Sequence, residues 1–218
     1  TGRALALPDD VMALEAPQSG LTPAQKRDSR TSGYWGYLDE TGNWAIDPMS
    51  IKSRTLPLLN GATLAVQGKN GWVFIDRQGV ARSKQTYKAV TALPDGNWLV
   101  TTPEGARQLL NPALEKQQDL PAGLEETLRP WHQWWVGTSN EGVVLIGPHN
   151  SVQVIKAEKA RLDIQPQALW ITQGKENPRI VQIVDTRGVS LLSEATLKAL
   201  ENYQVKLLGG QPSMDDTQ

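Results

Sequence analysis

Cysteine is missing from this 218-residue chain, phenylalanine occurs once and histidine twice. Without cysteine there can be no disulfide, no thiolate nucleophile and no Cys-ligated metal, a composition that suits a reducing cytosol or an envelope protein that avoids thiols. The two histidines, His132 and His149, stand on different predicted elements and form neither a His-x-x-x-His nor a His-Glu-x-x-His pair, so no zinc enzyme is expected. His149 falls in the turn Gly147-Pro148-His149-Asn150 and is expected to face solvent. No apolar run approaches the ~20 residues of a membrane span, and membrane insertion is not expected. Neither sign of charge dominates: 22 Lys and Arg face 23 Asp and Glu, which leaves no basic footprint for nucleic acid or anionic lipid. Nucleophile-elbow, phosphate-loop and dinucleotide fingerprints are absent. The nearest Gly-rich serine segment, 137–142, spans a predicted hairpin turn with no base beside it. The reading is therefore non-catalytic, with no catalytic residue, no cofactor and no metal site.

What the chain has is tryptophan, eight of them, together with 19 Gly and 14 Pro. Short aromatic and β-branched segments bounded by Gly, Asn and Pro read as strands, and they recur. One strand carries Leu64, Trp98, Trp134, Trp170 and Lys206 at spacings of 34, 36, 36 and 36. A second follows each turn, near 35–39, 72–76, 106–111, 143–147 and 180–185. Three second strands end in Asp-x-x-Gly: Asp39 to Gly42, Asp76 to Gly79 and Asp185 to Gly188. There the Asp side chain can accept backbone N–H groups across the turn while Gly takes a positive φ. The same periodic placement makes these carboxylates structural rather than catalytic or Ca²⁺-binding. The copy Asn111-Pro112-Ala113-Leu114 departs from the pattern and is expected to start a helical turn. A period in this range means a stacked repeat architecture. Because ~40–45 residues build a four-stranded blade in WD-type propellers, three strands per unit are expected here.

Trp35-Gly36-Tyr37-Leu38-Asp39-Glu40-Thr41-Gly42-Asn43-Trp44-Ala45-Ile46-Asp47-Pro48, with Leu58-Leu59-Asn60-Gly61-Ala62-Thr63-Leu64-Ala65-Val66, resembles the WG-repeat (KWG-type) β-repeat proteins of bacteria. Copies beyond residue 100 resemble it mainly by period. The resemblance implies an all-β repeat fold and carries no catalytic residues, because the family is defined by its repeat.

The expected fold is five β-hairpin repeats of ~36 residues forming a small closed propeller-like ring, with an open β-solenoid as the alternative. Segment 27–32 is too polar to supply the first strand of the N-terminal copy, and 203–208 lacks a following strand. Closure by pairing 203–208 with 35–39 is therefore expected, since closure removes exposed edges. Residues 1–32 are read as a polar extension in which Thr22-Pro23-Ala24-Gln25 forms a capped helical turn. Residues 33–210 form the repeat domain, with a short helix over 193–202, and 211–218 a flexible tail.

At the repeat position, Trp98, Trp134 and Trp170 are expected in the core. Strand alternation sends Trp134 and Trp135 to opposite faces. Trp131, His132 and Trp135 are accordingly the candidate exposed binding surface. The function expected is a scaffold presenting this surface to a protein partner; a glycan stacked on the same tryptophans is the alternative. The family analogy, the missing cysteine and a start at Thr1 without Met point to the periplasm, cell envelope or exterior, with the cytoplasm as alternative.

Overall fold

The computed structural model describes residues 6–27 and 33–207. The expected tail 211–218 and most of segment 27–32 lie outside the described residues. Contacts divide the chain into two compact units, Thr1–Leu120 and Pro121–Gln218.

The fold is all-β, with five antiparallel sheets among the described residues. Unit 1 holds three. Sheet 1 runs β1 (Val11–Leu14), β2 (Thr22–Lys26), β3 (Tyr34–Leu38) and β4 (Trp44–Ile46), followed by the single turn α1 (Pro48–Ile51). Sheet 2 contains β5 (Leu58–Asn60), β6 (Thr63–Gly68) and β7 (Gly71–Asp76), and sheet 3 contains β8 (Ala89–Ala92), β9 (Trp98–Thr101), β10 (Arg107–Leu110) and β11 (Lys116–Asp119). Unit 2 holds sheet 4, with β12 (Arg129–Trp131), β13 (Trp134–Ser139), β14 (Gly142–Ile146) and β15 (Val152–Lys156). It also holds sheet 5, with β16 (Ala160–Ile164), β17 (Ala168–Gln173) and β18 (Arg179–Asp185), then the helix α2 (Glu194–Leu207).

Sheets 1, 3 and 4 have four strands in sequential order, one more than the length of the repeat suggested. Short strands joined by tight turns make room for the fourth. In the three-stranded sheets, single bridges extend the pattern beyond the last strand: Ile75 with Ala81 and Trp72 with Tyr87 after β7, and Val184 with Ser190 after β18.

Three further expectations are corrected. Thr22–Lys26 is a strand rather than a helical turn, and it supplies the first strand that the N-terminal copy was thought to lack. Pairing with β3 places Pro23 opposite Tyr37, and that tertiary partner overrides the local capping signal. Second, 203–207 is helical: α2 starts where the short helix was expected, just after Ser193, whose Oγ accepts from the Thr196 N–H at 3.2 Å, and runs on to Leu207. No Gly or Pro stands between Ser193 and Leu208, so nothing stops the helix where a strand was expected. Among the described residues the expected closure strand is thus absent, and β3 is already paired on both sides, by β2 and β4. Third, 111–114 is the same turn as its relatives rather than the start of a helix. Asn111 Oδ1 accepts the Glu115 N–H at 2.9 Å, and Leu114 takes the positive φ of 64°.

The Asp-x-x-Gly turns form as the sequence suggests. Asp39 Oδ1 accepts from the N–H groups of Thr41 and Asn43, Asp76 Oδ1 from Gln78 and Val80, and Asp185 Oδ1 from Arg187 and Val189, all within 3.0 Å. Bonds to the ionised form pull a carboxyl pKa down. Asp39 is held below its ordinary value of 3.8, first by the Thr41 hydroxyl and then by the Asn43 N–H. Asp185 is held below 3.8 by the Val189 N–H and then by the Arg187 side chain. A carboxyl depressed in the folded state stabilises it above the unfolded pKa, and that contribution is lost as pH falls through the folded pKa. The expected result is a melting temperature that drops on acidification below the ordinary aspartate range, with a shallower drop in Asp185→Asn. An unchanged acid slope in that variant would exclude the turn carboxylate as a contributor.

Strand alternation builds the core of unit 1. One face of sheet 2, Leu64, Val66 and Ile75, packs with Leu21, Tyr37 and Ile46 of sheet 1. Its other face, Ala65 and Phe74, packs with Trp98, Val100 and Leu110 of sheet 3. Being covered on both sides, β6 reads as a run of apolar residues rather than an alternation. In unit 2, Trp134, Val136, Val143 and Leu145 of sheet 4 meet Leu169, Ile171 and Val184 of sheet 5. Each such side chain fully buried contributes about 1.5–3 kcal/mol.

Register corrects the repeat position itself. Ile75, Leu110, Ile146 and Val184, each the residue before its turn, pair with Leu64, Trp98, Trp135 and Leu169. The regular step therefore lands one residue early at Trp134 and one late at Trp170. Because side chains alternate between faces, a slip of one residue changes the face: Trp134 turns toward sheet 5 and is buried, as expected of it and of Trp98, whereas Trp170 turns outward.

Candidate functional site

Among the three residues of the expected surface, Trp131 is buried, 5% exposed, within the core between sheets 4 and 5. Its indole Nε1–H donates to the Gln165 carbonyl at 2.8 Å. His132 is exposed and occupies the β12–β13 turn with φ 52°. Its Nε2 lies 2.6 Å from the Pro166 carbonyl, the next one along, and its ring meets that of Trp131 edge-on at 5.0 Å. Two consecutive side chains of sheet 4 thus grip two consecutive carbonyls of the β16–β17 loop. Trp135, paired with Ile146 in β13, is half-buried. The exposure that a patch at Trp131 requires is absent, because a buried indole needs one acceptor and the neighbouring loop supplies it. The expectation for His149 holds: it lies exposed in its turn, with φ 56°.

The exposed tryptophan is elsewhere. Trp170, expected in the core, is 39% exposed. Its neighbours in β17, Leu169 and Ile171, take the core face, so Trp170 projects from the opposite one. Directly across the strands, Asp163 pairs with Trp170, Trp170 with Ile183, and the Leu191 N–H donates to the Ile183 carbonyl at 2.8 Å. Cross-strand partners share a face. Asp163, Trp170, Ile183 and Leu191 therefore form one row on the outer face of sheet 5. Leu191 is 54% exposed and the nearby Val189 47%. Charge rims the row: Arg161 and Asp163 are exposed on β16, and Arg187 pairs with Asp185 at 2.8 Å beyond β18. Beside this face, α2 and β18 border an open groove of about 260 Å³ lined by Ile180, Val181, Leu197 and Lys198. Arg179 and Glu201 pair across it at 2.7 Å. The sequence signal for this face was present in the alternation Ala168-Leu169-Trp170-Ile171, but the imposed period obscured it.

No family model matches the chain, and no curated protein sequence matches it. Some solved structures are similar to it over part of their length. One is a eukaryotic initiation factor, 9% identical over 84% of this chain and 54% of that one, with a TM-score of 0.50. Another is PorZ of Porphyromonas gingivalis, described as an essential bacterial surface component of the type-IX secretion system. It is 17% identical over 78% of this chain and 25% of its own, with a TM-score of 0.39. A third is BamB from Moraxella catarrhalis, 15% identical over 78% and 59%, with a TM-score of 0.36. The chain spans between a quarter and about three fifths of the length of these structures. At such identities the likeness concerns fold alone.

Among the described residues, no three His, Cys, Asp or Glu side chains converge where they could hold a metal ion. None of the described helices is long and apolar enough to cross a membrane.

Proposed function

We propose that this chain is a non-catalytic binding module whose docking surface for a protein partner is the outer face of sheet 5. The observation that carries this reading is the row of Trp170, Ile183 and Leu191, apolar, part-exposed and rimmed by charge. Interfaces concentrate binding energy in aromatic anchors surrounded by a polar rim, and Trp is the most enriched anchor. A β-sheet also presents its side chains at fixed spacing, so little ordering is needed on binding. The sequential antiparallel sheets support the further reading that each is one blade of a propeller-type repeat, akin to the WG-repeat proteins that the segment around Trp35 resembles. The compartment we propose with it is extracytoplasmic, in the envelope or outside the cell, and fractionation of the source cells checks it.

The decisive experiment compares pull-downs from source-cell extract with the native chain, Trp170→Arg, and Val80→Arg as a control at a 60%-exposed valine of unit 1. Proteins retained by the native chain and by Val80→Arg should be lost with Trp170→Arg. Folding stability should change by no more than about 0.5 kcal/mol in Val80→Arg. Trp170→Arg, which gives up the packing of a part-exposed indole, should still unfold cooperatively at a melting temperature above that of the assay. Retention unaffected by Trp170→Arg would remove this face from consideration. Quenching of tryptophan fluorescence by a soluble glycan, abolished in Trp170→Phe, would transfer the surface to carbohydrate.

A further inference from the structure

The chain contains two Asn-Gly dipeptides, Asn60-Gly61 and Asn70-Gly71, and the fold treats them differently. Asn-Gly is the pair most prone to succinimide formation, because glycine leaves the following N–H unshielded. Asn60 is half-buried, and its Nδ2 donates to the Leu93 carbonyl at 3.0 Å and to the Asn97 carbonyl at 2.8 Å. Those two bonds hold its amide on the loop before β9. Asn70 is exposed at the tip of the β6–β7 hairpin, beside the closing pair Gly68 and Gly71.

Relief by changing the glycine is closed off. Gly71 has φ +128°, and a Cβ there would lie 2.7 Å from the Tyr87 carbonyl oxygen. That carbonyl accepts the Trp72 N–H at 2.8 Å, and Tyr87 N–H returns a bond to Trp72 at 2.9 Å. The tight approach of Tyr87 therefore demands glycine at 71, and the same glycine activates Asn70.

We propose that Asn70 is a site of spontaneous deamidation in the folded protein and that Asn60 is protected. The Gly71 backbone nitrogen attacks Asn70 Cγ. Its proton passes to water, water delivers one to Nδ2, the Cγ–Nδ2 bond breaks and ammonia leaves, closing a succinimide. Water then opens the ring at either carbonyl, giving aspartate or isoaspartate with no change of oxidation state. In the isoaspartyl product the main chain gains one methylene immediately before Gly71. This shifts Gly71 against Tyr87 and loosens the start of β7. Either product also places a carboxylate beside Lys69.

Trypsin separates the two sites, because cleavage after Arg54, Lys69 and Arg77 yields peptides 55–69 and 70–77. The folded chain is incubated at mildly alkaline pH, then digested under mildly acidic conditions. Both peptides are followed by mass and with isoaspartyl methyltransferase, with a denatured sample in parallel. The expected result is amide-to-acid conversion and methyl acceptance in 70–77 of the folded chain, with 55–69 unchanged. In the denatured chain both peptides should convert. Conversion of 55–69 as fast as 70–77 in the folded chain would overturn the proposal. So would a folded chain in which 70–77 stays intact while the denatured one converts. As a second measurement, Asn70→Ser should show no conversion at 70–77 and an unchanged melting temperature after incubation, whereas the native chain's melting temperature falls.

Discussion

Trp98→Ala should lower the stability of the chain by about 3–5 kcal/mol, as expected for a large aromatic removed from a packed core. The residue is fully buried in β9 and meets Phe74 edge-on, with ring centroids 5.0 Å apart at 63°. Ala65, Tyr87, Val100 and Leu110 complete its surroundings. Since Phe74 and Ala65 belong to sheet 2, the indole joins two sheets, and its loss opens a void that neither can fill. Trp98→Phe separates packing from polarity. Among the described residues the Trp98 indole N–H has no acceptor, and a buried donor left unpaired costs about 1–3 kcal/mol. Phenylalanine removes that donor while keeping most of the apolar area. It should therefore cost less than half of what alanine does. Denaturant unfolding of the three proteins measures this. A phenylalanine variant as damaged as alanine would mean that indole volume alone decides the site.

Gly142→Ala should be nearly as damaging, at about 3 kcal/mol, combining steric overpacking and a strained backbone. Gly142 opens β14 with φ +139°, and a Cβ there would lie 2.0 Å from the Ile155 carbonyl oxygen and 2.7 Å from the Ala157 nitrogen. Those atoms belong to the backbone that pairs with Gly142 in β15 and just beyond it. No rotamer change relieves the clash, so the β14–β15 ladder must separate at its end. Gly105→Ala is the control. Gly105 has φ +94° with nothing within 4 Å of the added carbon, and only the positive-φ penalty of about 1–2 kcal/mol remains. Hydrogen exchange at β15 should accelerate in Gly142→Ala, while its amides stay protected in Gly105→Ala.

The all-β class and the turn chemistry were legible because both are local. Asp39, Asp76 and Asp185 make bonds within four residues, and a three-residue spacing to glycine announces them. Strand pairing is not local. The polar segment Thr22–Lys26 became a strand because Tyr34–Leu38 offered it a partner, a fact held in neither segment alone. Face assignment failed for a related reason. A fixed step of 36 treats the repeat as a lattice, but turns of unequal length let the true register move from Trp98 to Trp135 and then to Leu169. At Trp170 one residue of error was enough to exchange inside and outside, whereas Trp98 and Trp134 are buried as expected. Trp131 lies off the repeat position, and its expected exposure is lost to the core between sheets 4 and 5. Local alternation around Trp170 was the better guide, because the pleat has a fixed period of two whatever the turns do.

The grip of Trp131 and His132 on the Gln165 and Pro166 carbonyls bears on how the opposite side of sheet 5 behaves. A loop held at two successive peptide units loses the freedom to swing, and the strands it joins inherit that stiffness. The surface bearing Trp170 then resembles a bench bolted from beneath: a molecule landing on it meets a shape already set, and its residence is governed by fit rather than by waiting for the sheet to settle.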